Sequence, residues 1–173
     1  MAGGDKFGNI FIARLSADVS EEVEEDPTGG KNVYASGKLN GAPHKVQQVV
    51  QFHVGETVCA MTKGTLQAGG LECMVYTTLM GTIGALMPFV SREDVDFCTH
   101  LEMHMRQELP PLLGRDHMAF RSSYFPVKDV IDGDLCEQYT TLTPDQQRRI
   151  AEDMERSSSE ILKKLEDLRA KIA

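Results

Sequence analysis

ECMVYTTLMGTIGALMPF, residues 72–89, is the stretch that decides the architecture. Val75, Thr77 and Leu79 alternate with Tyr76, Thr78 and Met80, and β-branched residues are frequent, as a pleated strand requires. Gly81 marks a turn, after which Ile83, Ala85 and Met87 resume the period of two. The pattern predicts one tight antiparallel hairpin ending at Pro88. Gly84 stands where a neighbouring strand can approach closely. Both faces of the hairpin are apolar: Val75, Leu79, Ile83 and Met87 oppose Tyr76, Met80 and Leu86. A sheet of this kind needs cover on both sides, as does a blade of a β-propeller.

Upstream, residues 9–15 (NIFIARL) read as a first strand after the turn Asp5-Lys6-Phe7-Gly8. A long acidic loop is expected next, carrying Glu21, Glu22, Glu24, Glu25 and Asp26 as a solvated charge run and continuing through Pro27, Gly29 and Gly30. Residues 46–54 and 57–62 form two more strands split at Gly55-Glu56, and residues 67–70 a turn. That makes about five or six strands, whereas a ring of four-stranded blades needs about 16. Other polypeptide must therefore supply the remainder.

Beyond residue 89 the period changes from two to that of a helix. Ser91 with Asp94 has the pattern of a capping box, and Phe97, Leu101, Met105 and Leu109 form an apolar stripe that Pro110-Pro111 ends. A short helix is expected over 117–122, with Pro126 stopping it. Asp132 is placed to cap another short helix, in which Gly133 would permit a tight backbone. Thr143-Pro144-Asp145-Gln146 and Ser157 with Glu160 open two further helices, the last with Ile161, Leu165, Leu168 and Ile172 on one face. The expected class is β + α: residues 1–90 as closing strands of a propeller and residues 91–173 as a helical domain.

Composition narrows the function. The 173 residues are 41 % hydrophobic, enough for a core, while the net charge of -8 argues against a chain that grips nucleic-acid phosphates by itself. Cys59, Cys73, Cys98 and Cys136 form no CxxC pair and lie in apolar contexts, which predicts buried, reduced thiols and a nuclear or cytosolic setting. No apolar run approaches the ~18 residues of a membrane span, and residues 1–14 lack the regions of a secretory signal.

The search for chemistry returns little. His100 and His104 lie one helical turn apart, but Leu101 occupies the place where a zincin motif needs glutamate. Asp129, Asp132 and Asp134 resemble a calcium loop only superficially, since Ile131 and Gly133 fall where oxygen ligands belong. Ser122, Ser123, Cys59 and Cys136 lie in no nucleophile signature, the pair Gly81 and Gly84 is too short for a dinucleotide fingerprint, and Gly64, Gly69 and Gly70 precede no phosphate-loop lysine. No catalytic, metal or cofactor site is expected. Unclosed blades with amphipathic helices fit a scaffold better than an enzyme.

A resemblance sharpens this reading. HVGETV (53–58), the hairpin, DKFGNIFIARL (5–15), EEDPTGG (24–30) and above all PPLLGRDHMAFRSSYFPVKDVIDGDLCEQY (110–139) resemble the triple β-propeller family that includes DNA damage-binding protein 1 and the cleavage and polyadenylation specificity factor large subunit. The GRDH to FRSSYFPVK stretch is most similar to the C-terminal end of the splicing factor 3b member. Residues 31–48 and the terminal helices differ most. The motif positions are His53, Gly55, Glu56, Arg115, Asp116, Arg121, Asp132, Gly133 and Asp134. The resemblance implies a non-enzymatic, nuclear scaffold segment without cofactor, working in the U2 small nuclear ribonucleoprotein in pre-mRNA splicing and branch-site selection. Implied partners are the remaining propeller portion of the same subunit and the helical-repeat and small subunits of splicing factor 3b, with no nucleic acid or membrane bound directly. The alternative is a propeller adaptor of the DNA damage-binding, ubiquitin-ligase type or of a pre-mRNA 3′-end cleavage factor.

Overall fold

The structure, a computed structural model, describes residues 1–30, 34 and 46–171. Among them, six strands form two antiparallel three-stranded sheets. The first joins β1 (Ala2–Gly4), β2 (Asn9–Arg14) and β3 (Gln47–His53) in that order; the second joins β4 (Val58–Thr65), β5 (Glu72–Thr78) and β6 (Ile83–Leu86). Each is one strand short of a four-stranded blade, and the described strands close no ring. In the decisive hairpin Tyr76 faces Gly84, where a Cβ would lie 2.2 Å from the tyrosine Cζ. Glycine is there because the ring occupies the space. The hairpin is bare at its turn, where Leu79, Met80 and Ile83 are 72 %, 78 % and 76 % exposed, whereas Val75, Tyr76, Leu86 and Met87 are half-buried.

Three expectations in the strand half need correction. The acidic segment is a helix, α1 (Ala17–Glu25), rather than a loop. Ser16 caps it by accepting from the Val19 amide, Asp18 sits at the positive end of the dipole, and Val19 and Val23 are half-buried one turn apart. Charge density had outweighed these signals. Strand β1 was not foreseen, because Ala2-Gly3-Gly4 has no strand-forming side chains and is held by pairing with β2. Cys59 is exposed, on a strand with one open face, whereas Cys73, Cys98 and Cys136 are buried; all four are free thiols. Of the divergent stretch 31–48, residues 31–33 and 35–45 lie outside the described residues, as does Ile172.

The helical half has its own apolar centre. Helix α2 (Arg92–Glu108) buries Phe97, Leu101 and Met105 against Leu135 and Tyr139, against Ile150 of α5 (Pro144–Asp153), and against Ile161 and Leu165 of α6 (Ser158–Ala170). Each such side chain contributes roughly 1.5–3 kcal/mol when fully buried. The Tyr139 hydroxyl donates to the Gln147 carbonyl at 2.8 Å, and the Gln147 amide returns a bond to the Tyr139 carbonyl at 2.9 Å. Both late capping boxes form, at Thr143 with Gln146 and at Ser157 with Glu160. The box expected at Ser91 does not. Ser91 sits at the N-cap without a side-chain bond, because Asp94 turns inward to Lys164 of α6 at 2.7 Å and to Lys171, the residue that caps that helix, at 2.8 Å.

Two short helices stand between the halves. Helix α3 (His117–Ser122) is capped by Asp116, and its successor Ser123, not Pro126, ends it with a positive φ of 47°. Helix α4 (Gly133–Glu137) is capped by Asp132, whose carboxylate accepts from the Leu135 amide. Gly133 departs from expectation: its φ is not in the left-handed region, and a Cβ there would meet open space. The strained backbone lies instead at Asp129, with φ of 51°.

Candidate functional site

The residues singled out by motif converge on the seam between the first sheet and the short helices. Asp5 begins the chain of contacts. Its carboxylate accepts from the Phe7 and Asn9 amides at 2.8 and 2.9 Å and from the Asn9 side-chain nitrogen at 2.8 Å. Burial raises the Asp5 pKa, but these bonds outweigh it and hold the group below its ordinary value. With its nitrogen so used, Asn9 presents its oxygen to His53 Nδ1 at 3.0 Å, which makes the imidazole the donor. Burial and the Arg121 charge both keep His53 below its ordinary pKa, in the neutral form.

Arg121 is the crossing point. From α3 its Nη1 donates to the His53 carbonyl at 3.1 Å and its Nε to Asp132 Oδ2 at 2.7 Å. Its guanidinium carbon lies 4.8 Å from the Phe52 ring centroid and 5.2 Å from that of Phe120, so the cation has two aromatic neighbours. Asp132 is 3 % exposed and is engaged on every atom that can bond: Oδ1 takes the Leu135 amide, Oδ2 takes Arg121 and stands 3.0 Å from His117 Nε2, and its own amide donates to Glu102 at 3.0 Å. One residue thus ties α3 and α4 through its carboxylate and α2 through its backbone amide.

The HVGET turn is locked from the other side. The Gly8 carbonyl accepts from Val54 at 2.7 Å and from Gly55 at 3.3 Å, and a Cβ on Gly8, whose φ is 87°, would lie 2.7 Å from the Glu56 nitrogen. Glu56 accepts a short hydrogen bond from the Thr78 hydroxyl, which with Thr82 keeps its carboxyl below the ordinary value. The Leu79 amide donates to the Thr57 carbonyl at 2.9 Å, so the turn is also stitched to the end of β5.

His53, Gly55, Glu56, Arg121 and Asp132 therefore share one junction, and Asp116 caps the helix that carries Arg121 into it. Arg115 is exposed and reaches His53 through its charge, Asp134 is exposed at the mouth of a neighbouring cleft, and Gly133 opens α4. The sequence reading missed Asp5, Asn9, Glu102 and His117. A polar Asn9 inside an apolar strand was the available signal, since a buried amide must find partners. The remaining candidates stay apart. His100 is exposed, His104 Nδ1 lies 3.9 Å from Asp153, and no group of three or more potential metal ligands occurs among the described residues. Burial pushes the Cys98 thiol up to about 11 and raises Cys136 further, which suits packing and not nucleophilic attack.

Beside Asp132 a cleft of about 330 Å³ opens between Pro110-Pro111 and the starts of α3 and α4. Arg106, His117, Asp134 and Leu135 are among its walls. No described helix is long and apolar enough to cross a membrane.

Comparison with known proteins gives a consistent result. Residues 1–141 match the family described as CPSF A subunit region. Spliceosome-associated protein 130 A of Arabidopsis thaliana is 64 % identical over 172 residues, covering 99 % of this chain and 14 % of that protein. The probable splicing factor 3B subunit 3 of Dictyostelium discoideum is 58 % identical over 98 % of this chain, and splicing factor 3B subunit 3 of Danio rerio 55 % over all of it, again 14 % of each relative. The match carries membership and a share of length; the C-terminal position expected from the motifs is not part of it. The chain spans about 14 % of the length of the curated relatives it matches.

Proposed function

Because this chain belongs to the CPSF A subunit region family, we propose that it is a non-enzymatic scaffold segment working in the nucleus within splicing factor 3B, where it supports pre-mRNA splicing through protein–protein contacts. The observation that carries this reading is the identity of 55–64 % to splicing relatives over nearly the whole chain, against a 14 % share of their length. A segment so similar, yet so small a part, works as one piece of a larger body. The structure supports the same reading: the polar groups of its junction join a sheet to helices, and the apolar turn of its hairpin is left uncovered.

In this proposal the two three-stranded sheets are propeller material completed by other polypeptide, and residues 91–173 are a helical unit fastened to it through Arg121. The partners are the remaining propeller portion of the subunit and the helical-repeat and small subunits of splicing factor 3b. Affinity purification of the tagged polypeptide from nuclear extract, followed by mass spectrometry, tests it. Recovery of splicing factor 3b subunits is expected. Recovery of cullin components or of 3′-end cleavage factors in their place overturns the splicing assignment and favours the adaptor alternative.

A further inference from the structure

The cleft beside Asp132 contains donors without acceptors. Arg106 lies on the last turn of α2, and its Nε is buried with no hydrogen-bond partner; no ion pair joins its guanidinium to a described carboxylate. In the same walls His117 is 7 % exposed, and its Nε2 stands 3.0 Å from Asp132 Oδ2, an oxygen already taken by Arg121, without a hydrogen bond to it. Two acceptors in the same walls are engaged elsewhere. Asp132 serves Arg121 and the Leu135 amide, and Asp116 Oδ2 accepts from the Met118 and Ala119 amides. Asp134 stands exposed at the rim. A buried N–H left unpaired costs on the order of 1–3 kcal/mol, more where the group is charged. Two of them lining one cleft describe the complement of an acceptor that comes from elsewhere.

The volume fits a side chain with some of its backbone and is near the lower end for small-molecule sites. Leu109, Pro110 and Leu135 supply an apolar wall, against which the methylenes of an acidic side chain can lie. We propose that this cleft receives the carboxylate of an aspartate or glutamate from polypeptide outside these 173 residues, with Arg106 as its cation and His117 as a second donor. The inference rests on the assembly reading in taking polypeptide as the source, and it does not depend on which assembly that is. Asp116 and Asp134 in the same walls add negative charge, whose repulsion grows with the charge of the entrant, so a phosphate or a polyacidic run is disfavoured more than a single carboxylate.

The test uses the polypeptide that carries this chain, purified in its native assembly, and a density map at side-chain resolution. An Asp or Glu from outside the chain should lie at ion-pair distance from the Arg106 guanidinium, and its place in sequence states whether it comes from the same polypeptide or from another protein. Arg106→Glu should weaken that contact on the order of thirtyfold or more. Arg106→Lys should retain most of it, and converting the seated acidic residue to Arg should restore binding to the Arg106→Glu variant. A merely structural arginine would show no such rescue. A cleft holding solvent or an apolar side chain at Arg106, or an Arg106→Glu assembly recovered unchanged, overturns the proposal. If the partners are not splicing factors but the carboxylate is seated, this inference stands and the functional reading falls.

Discussion

At the scale of single residues, Arg121 does the most with the fewest atoms. It is the cation of a carboxylate that is almost wholly buried, and it also donates to a strand carbonyl. Arg121→Ala leaves Asp132 desolvated and unpaired, and a loss of about 3–5 kcal/mol is expected, read by denaturant melts. Glycines separate in the same way by what surrounds them. Gly8→Ala places a Cβ against the Glu56 backbone at positive φ and should cost more than about 1 kcal/mol, while Gly133→Ala, with open space and an ordinary φ, should be near neutral. Equal Tm values for the two would contradict that assignment. Acid should act in two windows. His53 has a depressed folded pKa beside Arg121, so stability falls as pH drops below its ordinary 6.5, where the unfolded chain takes a proton that the fold resists. Lys164 and Lys171 hydrogen bonds hold Asp94 low, so its contribution is complete above 3.8 and is lost as pH falls toward the lower folded value. Asp94→Asn should flatten only the second limb of a Tm profile.

At the scale of elements, helix ends were legible where the cap is local and misread where tertiary packing competes. Thr143 and Ser157 close their boxes within four residues, so the sequence alone contains both partners. Asp94 has the same spacing from Ser91 but is claimed by two lysines more than sixty residues away, a competition that no local window reveals. Ser157→Ala should therefore cost about 1 kcal/mol and Ser91→Ala almost nothing, as comparison of their unfolding midpoints will show. The hairpin 72–89 was readable because alternation and glycine position are properties of adjacent residues. The junction was readable only in part: its motif residues were flagged, yet Asp5, Asn9, Glu102 and His117 join them through contacts that span the fold. Helix α1 escaped because its acidic residues mask a two-valine stripe and a serine cap.

At the scale of the whole molecule, the apolar tip of the second sheet governs behaviour in isolation. Leu79, Met80 and Ile83 project into solvent from neighbouring positions, and such a patch drives association unless it is covered. The isolated chain should self-associate, and Leu79→Lys with Ile83→Lys should suppress this in light scattering while lowering recovery of partners. A compact monomer with a cooperative melt from the unmodified chain would remove the need for neighbours. The outer border of β3 has the opposite character. Lys128 exchanges both backbone hydrogen bonds with Gln51 at 3.2 and 2.9 Å, and Arg121 occupies the next outward carbonyl, that of His53. This border is hemmed at its middle, where the Gln51 amide and the Gln51 and His53 carbonyls are already engaged. A strand arriving on the β3 side would therefore have to displace Lys128 and Arg121 first, so the chain's own later residues guard that flank of the sheet.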